Sequence, residues 1–289
     1  MPEYGSPAVR RRRLAAELRR LRERAGFTAD EVAERLGWSA SKISRIELHR
    51  TGIKQPDLRN LLELYGVAAV QQESLLALAR ESSRARRLDA AMASLPEEYA
   101  AFLLAEAEAQ SVSTWDPQVV PGLLQTPEYA RAVMLGWHEM FPVPPGDINR
   151  RVEARLIRQR VLQRDPVFTL TAVVDESVLG RLLGDPPVMR GQLEHLVELG
   201  KQPNITIQVL PLTARQSVLT GAFIYLKFAQ VHDVPMHDMA IVEQLTANEQ
   251  VEDETDVYQY FRAFEALTAR ALSEDESGQM ITTYARDVW

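Results

Sequence analysis

The sequence of 289 residues contains no cysteine. Disulfide scaffolds, thiolate zinc sites, iron–sulfur clusters and cysteine nucleophiles are thereby excluded. It has no apolar run near the roughly 20 residues that span a bilayer. The arginines at 10 to 13 are followed by LAAELRRLRERAG, which is charged where a signal peptide would be apolar. These features place the expected location in the cytoplasm. The phosphate-binding P-loop, the Rossmann glycine pattern, GxSxG and HExxH are all missing, so no enzyme and no cofactor are expected. Lysine is scarce, with four among the 33 basic residues. Arginine's planar fork suits phosphate and guanine edges, although arginine codons of a GC-rich genome give the same bias.

What is present is ordinary in amount and uneven in place. Hydrophobic residues make up 46% and charged residues 25%, the composition of a globular protein, and the length fits about two domains. The net charge of −7 hides a division. Residues 1–90 hold 18 basic and 12 acidic side chains, a net of +6, while residues 91–289 carry −13. A basic segment suits a polyanion, and an acidic body repels one.

The first 80 residues read as five short helices. Leu14, Leu18 and Leu21 mark a helix over 9–25 that Gly26 ends. Thr28 and Glu31 form a capping-box pattern opening a second over 29–36. Gly37 closes it, and Ser39 caps a third over 40–48. A fourth starts at Pro56 and Asp57, and a fifth runs from about Gln71 to Ser82. Within ADEVAERLGWSASKISRIEL, Ala33 is the small residue that two steeply crossing helices need. Gly37 tolerates the positive φ of the turn, and Ile43 and Ile46 give the following helix an inner face with Val32 and Leu36. This is a helix-turn-helix pattern, whose second helix enters the major groove. The alternative is a helical adaptor using the same fold.

DEVAERLG, SKISRIE and LLELYGV, within residues 9–80, resemble the Xre-type domains, the group that includes phage repressor DNA-binding domains. The resemblance implies that residues 39–45 face DNA. Ser41 and Arg45 then fall at base-edge positions, Arg45 suiting guanine O6 and N7. Ser39 and Lys42 fall where phosphate or nearby bases are met, and Ala40 where a thymine methyl could be touched. Ala29 stands where repressors often carry glutamine. Thr28 is either a phosphate donor through its backbone or purely a cap. The resemblance also pairs Glu47 with Arg22 as a structural salt bridge. In the loop HRTGIKQP, Arg50 and Lys54 are either contacts to the DNA backbone or solvated charges. Arg10 to Arg13 form either a phosphate-binding arm or an exposed helix start.

Residues 83–95 are polar and alanine-rich and read as a linker between a domain at 9–82 and another at 96–289. The second region opens with a helix over 95–110. Pro117, Pro121 and Gly122 then break regular structure, and Thr126 and Pro127 start a further helix. A longer helix spans 147–163. Four runs read as strands, VFTLTAVVD, ITIQVLPL, AFIYLKFA and DMAIVEQL. Helices at 176–183 and 187–200 separate the first two, and helices at 253–272 and 274–286 end the chain. The fold class expected is mainly α with a C-terminal α+β domain built on a four-stranded sheet with flanking helices.

PGLLQTPEYARA, VVDESVLGRLLG, ITIQVLPL and LSEDESGQMI resemble a domain of uncharacterised biochemistry that follows Xre-type domains in actinobacterial regulators. That resemblance implies a transcriptional regulator, described as antitoxin-like and often paired with a small protein encoded next door. Asp175 and Glu176 fall at a strand end, where an acid–base pair would sit, or Asp175 caps the next helix. His232, Asp233, His237 and Asp238 are metal-binding types, yet no further ligand accompanies them and no metal is expected. Trp115, Trp137, Met134 and Phe141 read as core or as the lining of an apolar pocket.

The reading is a sequence-specific DNA-binding transcriptional regulator that reads the major groove of double-stranded DNA at a palindromic operator. It is a homodimer whose second domain senses a small-molecule effector or a protein partner, with no membrane role. The alternative is an antitoxin-like module that neutralises a small partner protein, with DNA binding as autoregulation.

Overall fold

The computed structural model describes residues 7–82, 97–140, 145–164, 167–215, 221–229, 237–243 and 248–289. The chain forms two compact units. The first is Met1–Arg87 with Phe228–His237, and the second is Leu88–Lys227 with Asp238–Trp289. The linker expected at 83–95 lies outside the described residues.

The first unit has five helices among its described residues, α1 (Pro7–Arg24), α2 (Ala29–Leu36), α3 (Ala40–Glu47), α4 (Gln55–Leu64) and α5 (Ala69–Ser82). Local chemistry sets the ends of α2. The Thr28 side chain accepts from the Glu31 amide while the Glu31 carboxylate accepts from the Thr28 amide, a complete capping box. Gly37 then takes a left-handed conformation with φ 66° and ψ 33°, and its N–H returns to the last turn of α2. Ser39 caps α3 by accepting from the Lys42 amide. Val32, Ala33, Ile43 and Ile46 point inward and join Leu14, Leu18, Leu58, Leu62, Leu75 and Leu78 in one core. The arginine run belongs to α1, and Arg10 and Arg13 are both buried. It is therefore neither an arm nor an exposed helix start. Arginine's long apolar stem allows such burial, and Arg13 donates to the Ala229 carbonyl at 2.8 Å within the same unit.

The second unit begins with α6 (Glu97–Glu108), β1 (Ser111–Asp116), a 3-10 turn at Gly122–Leu124, and α7 (Pro127–Met140). There follow α8 (Pro145–Arg158), continued by a 3-10 turn at Gln159–Gln163, then β2 (Thr169–Asp175), α9 (Glu176–Gly180), α10 (Pro186–Leu199) and β3 (Ile205–Leu210). It closes with β4 (Phe223–Lys227), β5 (Met239–Glu243), β6 (Asn248–Val251), α11 (Glu254–Thr268) and α12 (Glu274–Asp287). The sheet has six strands in the order β3-β2-β1-β4-β5-β6, not the four expected. β1, β2 and β3 are mutually parallel along the sheet, whereas β4, β5 and β6 run antiparallel to their neighbours. The sequence reading passes over β1 and β6. SVSTWD carries two serines and offers only a partial apolar alternation, and NEQV has little apolar character. Backbone pairing to neighbours makes both of them strands.

Trp115, Val173, Leu210 and Phe223 on one sheet face pack against Phe264 and Leu267 of α11. α12 packs against α10 and β3. The turn between α11 and α12 seals the outer edge of β3. There the Leu272 amide donates to the Val209 carbonyl at 2.9 Å, and the Val209 amide donates to Ser277 Oγ at 2.9 Å. No helix among the described residues is long and apolar enough to cross a membrane.

Gly37 has open space where a Cβ would stand, so its conformation alone restricts substitution. Gly37→Ala should cost about 1–2 kcal/mol, the strain of a left-handed L-residue. Gly37→Asn should cost less, since asparagine tolerates that region. Urea unfolding of the full chain checks both.

Candidate nucleic-acid interface

α3 sorts its side chains by direction. Ile43 and Ile46 are buried, Glu47 is half-buried, and Ser41, Ser44 and Arg45 are exposed along one outward line. Ser44 belongs to that line although the sequence reading did not select it. Arg45 Nε donates to the Ser41 carbonyl at 3.2 Å, which lays the guanidinium along the helix. Ser39 is exposed and Ala40 half-buried at the start of α3. Arg50 and Lys54 are exposed on the connection to α4. That connection turns at His49, which adopts φ 46°, a left-handed conformation that a non-glycine residue takes rarely.

Behind this face lies the Arg22–Glu47 pair. Arg22 Nε and a terminal nitrogen donate to the two Glu47 oxygens at 2.7 and 2.9 Å, and its other terminal nitrogen donates to the Phe27 carbonyl at 2.8 Å. The side chains keep only 12% and 9% exposure. The hydrogen bond to Glu47 holds the guanidinium even more firmly protonated than usual. The pair expected from the sequence is therefore present and bidentate. Thr28 is exposed, and its amide and hydroxyl both engage Glu31. These two bonds hold the Glu31 carboxyl below its usual range.

Lys42 has partners that no sequence spacing announces. Its ammonium lies 2.8 Å from Asp57 Oδ2 on α4 and 3.5 Å above the Trp38 ring.

The candidates in the second unit are engaged in structure. Asp175 accepts from the Ser177 amide at 3.0 Å as the cap of α9. Glu176 accepts from the Leu212 amide at 2.7 Å and from the Tyr284 hydroxyl at 2.8 Å. Trp115 is core, while Trp137 on α7 is exposed, and Phe141 lies outside the described residues. His232 and Asp233 also lie outside them, and Asp238 accepts from the Tyr225 hydroxyl. Among the described residues no three potential metal ligands of the His, Asp and Glu types come together.

Residues 13–76 match a family described as helix-turn-helix domain. Residues 99–283, more than half of the chain, match the family described as domain of unknown function DUF5753. The chain belongs to the DUF5753 family. Its N-terminal helix-turn-helix domain is of a DNA-binding kind that serves transcription regulation, not of an enzyme family. No curated protein and no solved structure matches the chain.

Within the DUF5753 domain the segment PGLLQTPEYARA is held by glutamines. Gln125 donates to the Val120 carbonyl, Gln159 to the Gly122 and Gln125 carbonyls, and Gln192 to the Leu124 carbonyl. Gln125 in turn accepts from Arg155 at 2.7 Å, and Arg158 makes a buried two-pronged pair with Glu106. A Cβ on Gly122 would stand 3.2 Å from a terminal nitrogen of Arg158, so glycine lets the turn lie against these arginines. Asp116, at the end of β1, accepts from the Gln118 and Val119 amides at 2.8 and 3.1 Å. Burial pushes its carboxyl up to about 6, opposed by those two bonds. Nearby Glu243 raises it further, and Arg155 lowers it.

Glu47→Gln should destabilise the helical unit by about 1–3 kcal/mol, the range for stranding a bonded charged partner. Ser41→Ala with Arg45→Ala should stay within about 0.5 kcal/mol of the parent, as exposed substitutions do. Thermal unfolding of the full-length variants separates the two roles.

Asp116 gives a pH signature with a definite sign. Its folded value exceeds the ordinary 3.8, so between about pH 4 and 6 the folded chain holds a proton that the unfolded chain has lost. This contribution to stability is greatest in acid, falls as pH rises through that window, and levels off above about 6. Asp116→Asn keeps an oxygen for the two amides and removes the charge. Its unfolding free energy from urea titration should exceed the parent's at pH 7.5 by up to about 3 kcal/mol and converge with it near pH 4.

Proposed function

We propose that the protein is a sequence-specific, DNA-binding transcriptional regulator that acts as a dimer in the cytoplasm. Residues 9–82 form the reader, and residues 96–289 receive a small ligand or a protein partner. The observation that carries this reading is the sorting of α3, with Ser41 and Arg45 turned outward and the Arg22–Glu47 pair locking the helix from behind. A helix held that way presents a fixed set of donors to base edges, and Arg45 has the fork that matches guanine O6 and N7. Ser39, Lys42, Arg50 and Lys54 supply donors for phosphates along the groove walls. Ala40 supplies a methyl surface, and Thr28 serves first as the cap of α2. Two-fold pairing of protomers would set two copies of α3 about one helical turn apart.

A second reading rests on the net charge of −13 over residues 91–289 and on the exposed, adjacent Tyr258 and Phe261 of α11. In it the DUF5753 domain holds a small basic partner protein in the antitoxin-like manner, and DNA binding is autoregulation. The DNA reading does not depend on that choice.

Selection of bound duplexes from a random pool tests the primary reading, run at one stated salt concentration because affinity depends steeply on it. The full-length protein should enrich a two-fold-symmetric motif. The Ser41→Ala, Arg45→Ala double variant should lose it, with a loss of affinity of about 10- to 100-fold for the bidentate contact alone. Failure of the parent protein to enrich any sequence would sink the reading.

A further inference from the structure

Lys42 follows Ser41 by one residue, so the helix turns it about 100° away from the outward line of Ser41 and Arg45. It therefore sits on the flank of α3, where a cation meets a phosphate on the groove wall rather than a base. Its ammonium is already bound. Asp57 Oδ2 lies 2.8 Å away, and the Trp38 ring lies 3.5 Å beneath it. Neither partner is a loose surface group. Trp38 is half-buried against the helical core. Asp57 is the third residue of α4, where the positive end of the helix favours its charge. The Lys42 and Asp57 side chains keep 34% and 28% exposure, so the pair remains open to an incoming anion.

We infer that Asp57 is an internal competitor for a DNA phosphate, holding Lys42 until a phosphate displaces it. The inference rests on the reading of α3 as the recognition helix. Asp57 is a positioning residue that acts through Lys42. A phosphate arriving at Lys42 exchanges one ion pair for another, so this contact adds little to binding of arbitrary DNA. Discrimination then falls to Ser41 and Arg45, the latter bonded through Nε to a backbone carbonyl of its own helix rather than to a carboxylate.

The test is a double-mutant cycle on the full-length protein. Asp57→Asn, Lys42→Ala and the combined variant are titrated against the selected duplex and a scrambled one over a salt series. Asn keeps the size and an accepting oxygen while removing the charge, and Asp57→Ser is run beside it as a second uncharged polar residue. Asp57→Asn should tighten binding to both duplexes by about 2- to 5-fold, the span of exposed ion pairs. Lys42→Ala should change affinity and salt slope little in the parent, and should weaken binding and reduce the salt slope by about one unit in the Asp57→Asn background. The gain from Asp57→Asn should vanish in the Lys42→Ala background. An equal gain in both backgrounds would show that Asp57 merely repels DNA, and a loss of affinity in Asp57→Asn would show that it presents Lys42 to the phosphate. Either result overturns the inference and leaves the DNA reading intact. A parent protein that binds neither duplex overturns both.

Discussion

The outward face of α3 is aimed by one guanidinium. Arg22 of α1 bonds both oxygens of Glu47 on α3 and, with its remaining terminal nitrogen, the carbonyl of Phe27 in the turn before α2. α1, α3 and the turn that leads into α2 therefore meet at a single side chain. Two parallel bonds to a carboxylate fix rotation as well as distance, which a lone apolar contact does not. The isoleucines beneath α3 supply burial, but burial is non-directional, and a helix resting on two isoleucines can roll. Rolling by one residue would move the line of Ser41 and Arg45 by about 100° and turn different side chains outward.

In the second unit the comparable element is β1. It pairs in parallel with β2 on one side and antiparallel with β4 on the other, so it joins the two halves of the sheet. The chain leaving β1 enters the proline-rich turn that Gln125, Gln159 and Gln192 hold by its carbonyls. Side-chain amides satisfy this backbone where neither helix nor sheet can, and buried backbone groups require such partners. The arginines of α8 complete the arrangement through Gln125 and Glu106.

Elements whose ends are written in local chemistry were legible in the sequence. α2 begins and ends where Thr28, Glu31 and Gly37 place it. The caps at Ser39 and Asp175 likewise fall where the residues suggest. The strands rich in β-branched residues were legible for the same reason of pattern. β1 was not, because its strand character comes from neighbours on both edges rather than from SVSTWD itself. The burial of Arg10 and Arg13 was hidden because four successive arginines look solvated whatever covers them. The partner of Lys42 was hidden because Asp57 lies 15 residues away on another helix. The pair between Arg22 and Glu47 spans 25 residues and was legible only through family resemblance.

The sealed edge of β3 bears on how the chain is made. Val209 emerges from a ribosome well before Leu272 and Ser277, whose backbone and hydroxyl cover its amide and carbonyl. During that interval an apolar parallel strand presents an unpaired edge, a template for pairing with other nascent chains. The last two helices of the fold therefore act as a late closure, and the outer edge of β3 stays open until residues more than 60 positions later in the chain have been made.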